Sequence, residues 1–162
     1  MATEVKNASR DADPASVGGA PDDAAGGNGA SPILFPQGLP GFPAASRFAL
    51  RRLEHGPEGL LLLQSTDDPG LRFLVLPYLG GQLPLRRCDL DSACTALGIP
   101  AEHAAVLLVV TRQAVQGNEG APPQLFVNLR APVVLDTHRR TAVQHVLPSP
   151  GYAFRFPLPA AA

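Results

Sequence analysis

The chain has 162 residues, enough for one domain with its own hydrophobic core. Its 18 prolines and 16 glycines disfavour long helices and predict frequent turns. The formal net charge of −1 is too weak to indicate a nucleic-acid-binding surface, and no apolar run approaches the ~18 residues that a membrane-spanning helix needs.

The first 31 residues differ from the rest of the chain in composition and charge. They are rich in Ala, Gly, Asp and Pro and contain no aromatic residue. Of the 14 acidic and 13 basic residues, five acids and two bases lie in residues 1–32, which leaves nine acids and eleven bases, a net of +2, for the remainder. Residues 1–31 bury too little apolar surface to offset the entropy of ordering, so we expect a disordered tail. The domain then covers residues 32–158, followed by a short C-terminal tail at 159–162.

The first ordered segment is framed by two phenylalanines, in Phe35-Pro36-Gln37-Gly38-Leu39-Pro40-Gly41-Phe42. Its two prolines fix φ and its two glycines are free to take positive φ. The segment is therefore predicted to be a rigid turn. Alternation of apolar and basic residues predicts a strand over 47–53.

A hairpin is predicted over residues 60–76. The apolar run 60–65 is short enough for a buried strand, and a second strand is predicted over 72–76. The Thr-Asp-Asp-Pro-Gly sequence between them has the composition of a turn. Phe73 lies in the middle of the second strand and is predicted to be a core anchor.

One short helix is predicted over 92–97, with Asp91 as its N-cap and Gly98 as its stop. Cys94 recurs at helical spacing with apolar neighbours, which indicates a small core residue and not a nucleophile. Cys88 is the other cysteine. The N-terminus lacks the basic start and apolar stretch of a secretory signal, which favours reduced thiols over a disulfide bridge and predicts a cytoplasmic protein.

Four further strands are predicted in the second half, at 106–112, 125–129, 133–135 and 141–147. Pro132 separates the strands 125–129 and 133–135, because proline has no N–H to donate to a strand ladder. Residues 136–140 are predicted to turn the chain into its last strand. Six or seven short strands, with turn signals every 8–15 residues, predict an all-β fold. The expected architecture is a small antiparallel β-barrel, formed by a meander of short strands with one short helix.

No pattern in the sequence is typical of catalysis. The histidines are His55, His103, His138 and His145. None are paired at i, i+2 or i, i+4, and none has the cysteine spacing of a zinc site. Ser65 lacks the Gly-x-Ser-x-Gly frame of a nucleophile elbow. Asp67 and Asp68 are adjacent in a turn, which favours turn capping over a catalytic pair. We therefore predict a non-enzyme with no metal and no cofactor.

Several short motifs follow one another in a specific order. They are Phe35 to Phe42, Leu63-Gln64-Ser65, Asp68-Pro69-Gly70-Leu71-Arg72-Phe73, Leu97-Gly98-Ile99, Asn128-Leu129-Arg130-Ala131-Pro132-Val133-Val134-Leu135, Gln144, and Tyr152 with Arg155, Pro157 and Leu158. In order and spacing this set, which covers about residues 33–158, resembles the family of the flagellar assembly factor FliW. Any one motif is weak, whereas the ordered set is specific.

The resemblance implies a small antiparallel β-barrel that works by binding. Proteins of this family bind CsrA, a dimeric RNA-binding translational repressor, and so relieve repression of flagellin messenger RNA. They also bind flagellin, which competes for them. Such a switch couples two binding equilibria and needs no covalent chemistry. The implied partners are flagellin and CsrA, without direct nucleic-acid or membrane binding, and the chain is expected to be a monomer.

Two features depart from the family's pattern. The family usually opens with a strand carrying a Thr-x-Phe-Gly-like pattern, whereas residues 17–31 offer Gly, Ala and Asp, so that strand is expected to be lost or replaced. Typical members are acidic, which suits a basic partner. The body of this chain is +2 by count, which predicts weak electrostatic steering toward CsrA.

Two alternative functions stay open at this point. A flagellin-dedicated chaperone without CsrA binding is compatible with the charge balance. A small β-barrel hydrolase would require two converging titratable groups at the barrel mouth. The candidate protein-binding residues are the polar positions opposite the apolar ones in the best-matched segments: Asp67, Asp68, Arg72, Asn128, Arg130 and Asp136. Turn capping or a solvated strand face is an equally good interpretation of each.

Overall fold

The protein is represented by a computed structural model that describes residues 31–159. Its strands are β1 Ile33–Leu34, β2 Arg47–Arg52, β3 Leu61–Ser65, β4 Arg72–Pro77, β5 Ala104–Gln113, β6 Gln124–Val127, β7 Val133–Asp136, β8 Thr141–Gln144 and β9 Phe156–Pro157. One α-helix, α1, covers Arg87–Ala96, and a single 3₁₀ turn covers Ala101–His103. The predictions of a disordered tail over 1–31 and of a lost or replaced first strand over 17–31 fall, except for Ser31, outside the described residues.

Seven strands close into the predicted barrel. Strands β1 to β5 follow one another as antiparallel neighbours, and β4 pairs with β5. The β7–β8 hairpin completes the ring, since β7 pairs with β5 and β8 runs parallel to β1, with Leu34 opposite Thr141. The meander therefore holds from β1 to β5, whereas β6 and β9 extend from β5 outside the ring. The prediction that 141–147 is the last strand is wrong, because Phe156 and Pro157 pair with β6.

Apolar side chains line both faces of the barrel wall. On β5, Leu107 points into the interior and Leu108 points outward, as the period of two requires. The interior cluster consists of Ile33, Phe35, Leu39, Phe48, Leu63, Val75, Leu107, Val133, Leu135 and Ala142. Helix α1 packs Leu90 and Ala93 on the outer cluster. Phe48 is fully buried, whereas Phe73 is only partly buried and packs on the edge of the interior cluster.

The helix begins earlier than the sequence predicts. It covers Arg87–Ala96, so Asp91 lies inside it and not at its N-cap, and its carboxylate is 3.6 Å from the Arg87 guanidinium. The N-cap is Arg86, which has no side-chain capping bond. Its backbone N–H donates to the Tyr152 hydroxyl instead. The prediction of Gly98 as the stop is confirmed, since Gly98 has φ +65° and its N–H donates to Thr95.

Candidate functional site

The segment between the two phenylalanines packs Phe35 and Leu39 into the interior cluster of the barrel. Phe35 is 1% exposed and packs edge-on against Phe48, with ring centroids 4.9 Å apart. Phe42 stays 43% exposed and contacts Phe73. Gly38 has φ +67°, and a Cβ there would lie 2.7 Å from backbone atoms of the next turn. The predicted turn is therefore confirmed, and it needs glycine at this point.

The second matched segment is a wide bulge between β6 and β7. Val127 lies opposite Val110 and Val133 lies opposite Leu107, so residues 128–132 face only two residues of β5. The Asn128 side-chain oxygen accepts the backbone N–H groups of Arg130 and Ala131, both at 3.0 Å. The bulge is thus held by an Asx-type turn that brings its backbone to the C-terminal segment.

Backbone and side-chain bonds fasten the C-terminal segment to this bulge. Leu147 donates to the Arg130 carbonyl at 2.8 Å, and the Arg130 guanidinium donates to the Ser149 carbonyl at 2.7 Å. The same guanidinium lies 6.0 Å from the centroid of Phe154, a ring that is 62% exposed. Arg130 therefore contacts the exposed ring of Phe154 and also anchors the C-terminal segment through Ser149.

At the β3–β4 hairpin the acidic residues hold the turn. The Asp68 carboxylate accepts the Gly70 N–H at 3.1 Å, and the Ser65 hydroxyl accepts the Asp68 N–H at 3.1 Å. Asp67 forms an exposed ion pair with Arg47 at 2.6 Å, which raises the pKa of Arg47. Arg72 begins β4 and is exposed. The interpretation of turn capping is confirmed for Asp68.

Asp136 caps the β7–β8 turn. Its side chain is buried, and one carboxylate oxygen accepts the backbone N–H groups of His138 and Arg139 at 3.0 and 2.9 Å. The Arg139 N–H chiefly holds the pKa of Asp136 below its ordinary value, although burial opposes this effect. The rings of His103 and His138 stack beside this turn with centroids 4.9 Å apart.

The six predicted binding residues thus fall into three groups: the β3–β4 hairpin, the bulge and the β7–β8 turn. Within the part of the chain that the structure describes, no side-chain hydrogen bond or ion pair joins residues of two different groups. The described residues also contain no group of three His, Cys, Asp or Glu side chains that could hold a metal ion. Cys88 is an exposed free thiol, and burial raises the pKa of the Cys94 thiol.

An apolar groove of about 510 Å³ lies on the outer face of the barrel. Its lining includes six leucines, Leu53, Leu60, Leu74, Leu76, Leu125 and Leu158. Prolines border it, namely Pro57, Pro122, Pro123 and Pro159. Its polar lining is His55, Glu58, Arg112 and Gln124. Because the leucines are mostly only half-buried, the groove offers apolar surface to a further molecule.

Sequence reasoning missed this groove, although a signal was present. Residues 60–63 and 73–76 are apolar without a break, so both faces of these strands carry apolar side chains. This pattern indicates that other residues or a partner pack against both faces. Helix α1 covers only part of the outer face. The uncovered part is the groove.

In the described part of the chain, no helix has the length and apolar character that a membrane crossing requires.

Comparisons with known proteins identify relatives of this barrel. The model of the family described as "FliW protein" matches residues 25–158. The chain is 33% identical over 117 residues to the flagellar assembly factor FliW of Azoarcus sp. (strain BH72), covering 71% of this chain and 79% of the relative. It is 31% identical over 122 residues to that of Geobacillus thermodenitrificans (strain NG80-2), covering 74% and 78%. A crystal structure of the flagellar assembly factor FliW superposes with a TM-score of 0.59 at 25% identity, covering 82% of this chain and 89% of that one.

Proposed function

This chain belongs to the FliW family of flagellar assembly factors, and from that membership we propose that it is a cytoplasmic regulatory binding protein. It binds a CsrA-like translational repressor, a dimer, and thereby relieves repression of flagellin messenger RNA. It also binds flagellin, so that free flagellin displaces the repressor. The chain acts as a monomer and without a cofactor.

One observation of the molecule carries this proposal: the half-buried leucines of the outer groove, which a binding partner would cover. Among residues 31–159, two carboxylates have a lowered pKa, and both lie outside that groove. Asp136 caps a turn, and Asp89 is bound to Tyr152, whose hydroxyl holds the pKa of Asp89 low. These positions favour a binding protein over a hydrolase.

A flagellin-dedicated chaperone without CsrA binding is the second candidate. The net charge of +2 outside the first 32 residues favours it, because a cationic body is not steered toward a basic RNA-binding dimer. Both candidates bind flagellin, and they differ only in whether they also bind the repressor.

Calorimetric titration of the purified chain against flagellin and CsrA from the same cell tests both candidates. The proposal expects a 1:1 complex with flagellin, a complex with CsrA, and release of CsrA when flagellin is added. Binding to flagellin alone would favour the chaperone. Binding to neither partner would exclude both functions.

A further inference from the structure

Three arginines stand on the same outer face as the groove. On β2, Arg51 has the parity of Leu53, and on β4, Arg72 has the parity of Leu74. On β5, Arg112 lies opposite Leu125 and lines the groove itself. Each arginine is therefore within two strand positions of a groove leucine, or directly opposite one.

Two of these arginines lie at the same end of the β4–β5 ladder. The last pair of that ladder is Leu74 with Val110, and Arg72 and Arg112 each lie two residues beyond it on the outer face. Cations at one end of a shared face repel each other, and a bound anion would relieve that repulsion.

These arginines also have no partner within the described residues. Arg51, Arg72 and Arg112 are exposed and form no ion pair or side-chain hydrogen bond within residues 31–159. Arg47 and Arg86, in contrast, each hold an aspartate at 2.6 and 2.9 Å. The face beside the groove thus presents free guanidinium groups next to half-buried leucines.

We propose that this face binds a protein segment that inserts apolar side chains into the leucine groove and places carboxylates on Arg51, Arg72 and Arg112. Guanidinium groups bind carboxylates through two parallel hydrogen bonds, which gives the segment a direction as well as affinity. The inference rests on the proposed function only in that the chain works by binding a partner protein.

The lining of the groove favours an acidic protein segment over a nucleic acid. Single-stranded nucleic acids bind where aromatic side chains stack on the bases. Most of the groove lining is leucine and proline, and it includes no Phe, Tyr or Trp, so it suits aliphatic side chains. Charge and apolar surface together select an amphipathic segment that carries Asp or Glu.

Arg51 and Arg52 form a matched pair of test positions. Both are exposed and consecutive on β2, but they point to opposite faces, so Arg51→Glu and Arg52→Glu change the net charge equally. We expect Arg51→Glu and Arg72→Glu to weaken binding of flagellin or of CsrA by roughly tenfold, and Arg52→Glu to leave it unchanged. Melting temperatures like that of the unmodified chain show that the variants are folded.

Two outcomes with these partners overturn the inference and leave the proposed function intact. In the first, all three variants bind both partners like the unmodified chain. In the second, Arg52→Glu weakens binding as much as Arg51→Glu, which shows a dependence on net charge and not on this face.

A synthetic peptide separates the inference from the proposed function if neither natural partner binds. The probe is a fluorescein-labelled amphipathic peptide with Leu along one face and Glu beside it, compared with the same peptide carrying Gln for every Glu. Preferential binding of the Glu peptide, lost in Arg51→Glu and weaker at ~200 mM than at ~50 mM salt, supports the inference. Equal binding of the two peptides, or displacement of the Glu peptide by a single-stranded oligonucleotide, overturns it.

Discussion

The Tyr152 hydroxyl donates a hydrogen bond to the Asp89 carboxylate and accepts one from the Arg86 N–H. This single group joins the C-terminal segment to the first turn of helix α1. It also takes the place of an N-cap side chain, since it accepts a backbone N–H at the helix start and positions an acidic residue near the positive end of the helix dipole. The helix start is therefore set by a residue more than fifty positions away.

Replacing Tyr152 by Phe removes this hydroxyl and keeps the ring. We expect a lower melting temperature by roughly 2–8 °C, because one net hydrogen bond is lost in a small domain. The pKa of Asp89 should rise toward its ordinary value. Thermal unfolding and carboxyl NMR titration measure the two effects. A pKa of Asp89 that does not move would contradict the role assigned to Tyr152.

The buried ring of Phe48 should matter more for stability than that of Phe73. Phe48 is 0% exposed at the centre of the interior cluster, whereas Phe73 is packed only at its edge. We expect Phe48→Ala to lower the free energy of unfolding by about 3–5 kcal/mol, and Phe73→Ala to lower it by less. Urea denaturation of the two variants measures the difference. The reverse order would show that the β3–β4 hairpin, and not the barrel interior, limits stability.

The bulge should depend on the side-chain oxygen of Asn128. Asn128→Ala leaves the Arg130 and Ala131 N–H groups without their acceptor and should cost about 1–3 kcal/mol. Asn128→Asp keeps an acceptor in place and serves as the control. Amide hydrogen exchange at Ala131 reports the same loss locally. Unchanged protection there in the alanine variant would rule out the Asx-type turn.

The pH dependence of stability should include a contribution from Asp136. Its pKa in the folded protein is lower than in the unfolded chain, so the carboxylate contributes stability in full above ~3.9, the ordinary value. That contribution is lost as the pH falls through the folded pKa. The free energy of unfolding should therefore fall more steeply below pH ~4 in the unmodified chain than in D136N. Parallel pH profiles would be evidence against this linkage.

Elements held by neighbouring residues could be predicted from the sequence. Period-two alternation indicated β2, the apolar run that ends at Ser65 indicated β3, and the turn composition after it indicated the β3–β4 hairpin. Gly98 marked the helix stop because its left-handed φ is a local property of one residue. The motifs that indicated the family are local in the same way. Gly38 is needed for the positive φ of its own turn, and Asn128 binds the backbone of its own bulge.

Features that depend on the pairing of distant strands could not be predicted from local patterns. Strand β5 has β4 on one edge, whereas β6 and β7 share the other edge. The bulge between them lets β7 pair with the first half of β5 and close the ring, so β6 lies outside it. The same closure puts Arg72 and Arg112 on one outer face and leaves the leucine groove lined by residues such as Leu74 and Leu125. Neither feature has a local signature, since each arises from strands that are far apart in the chain. Local residue patterns were sufficient to predict most strands and turns, whereas long-range hydrogen-bond registers set which side chains share a surface.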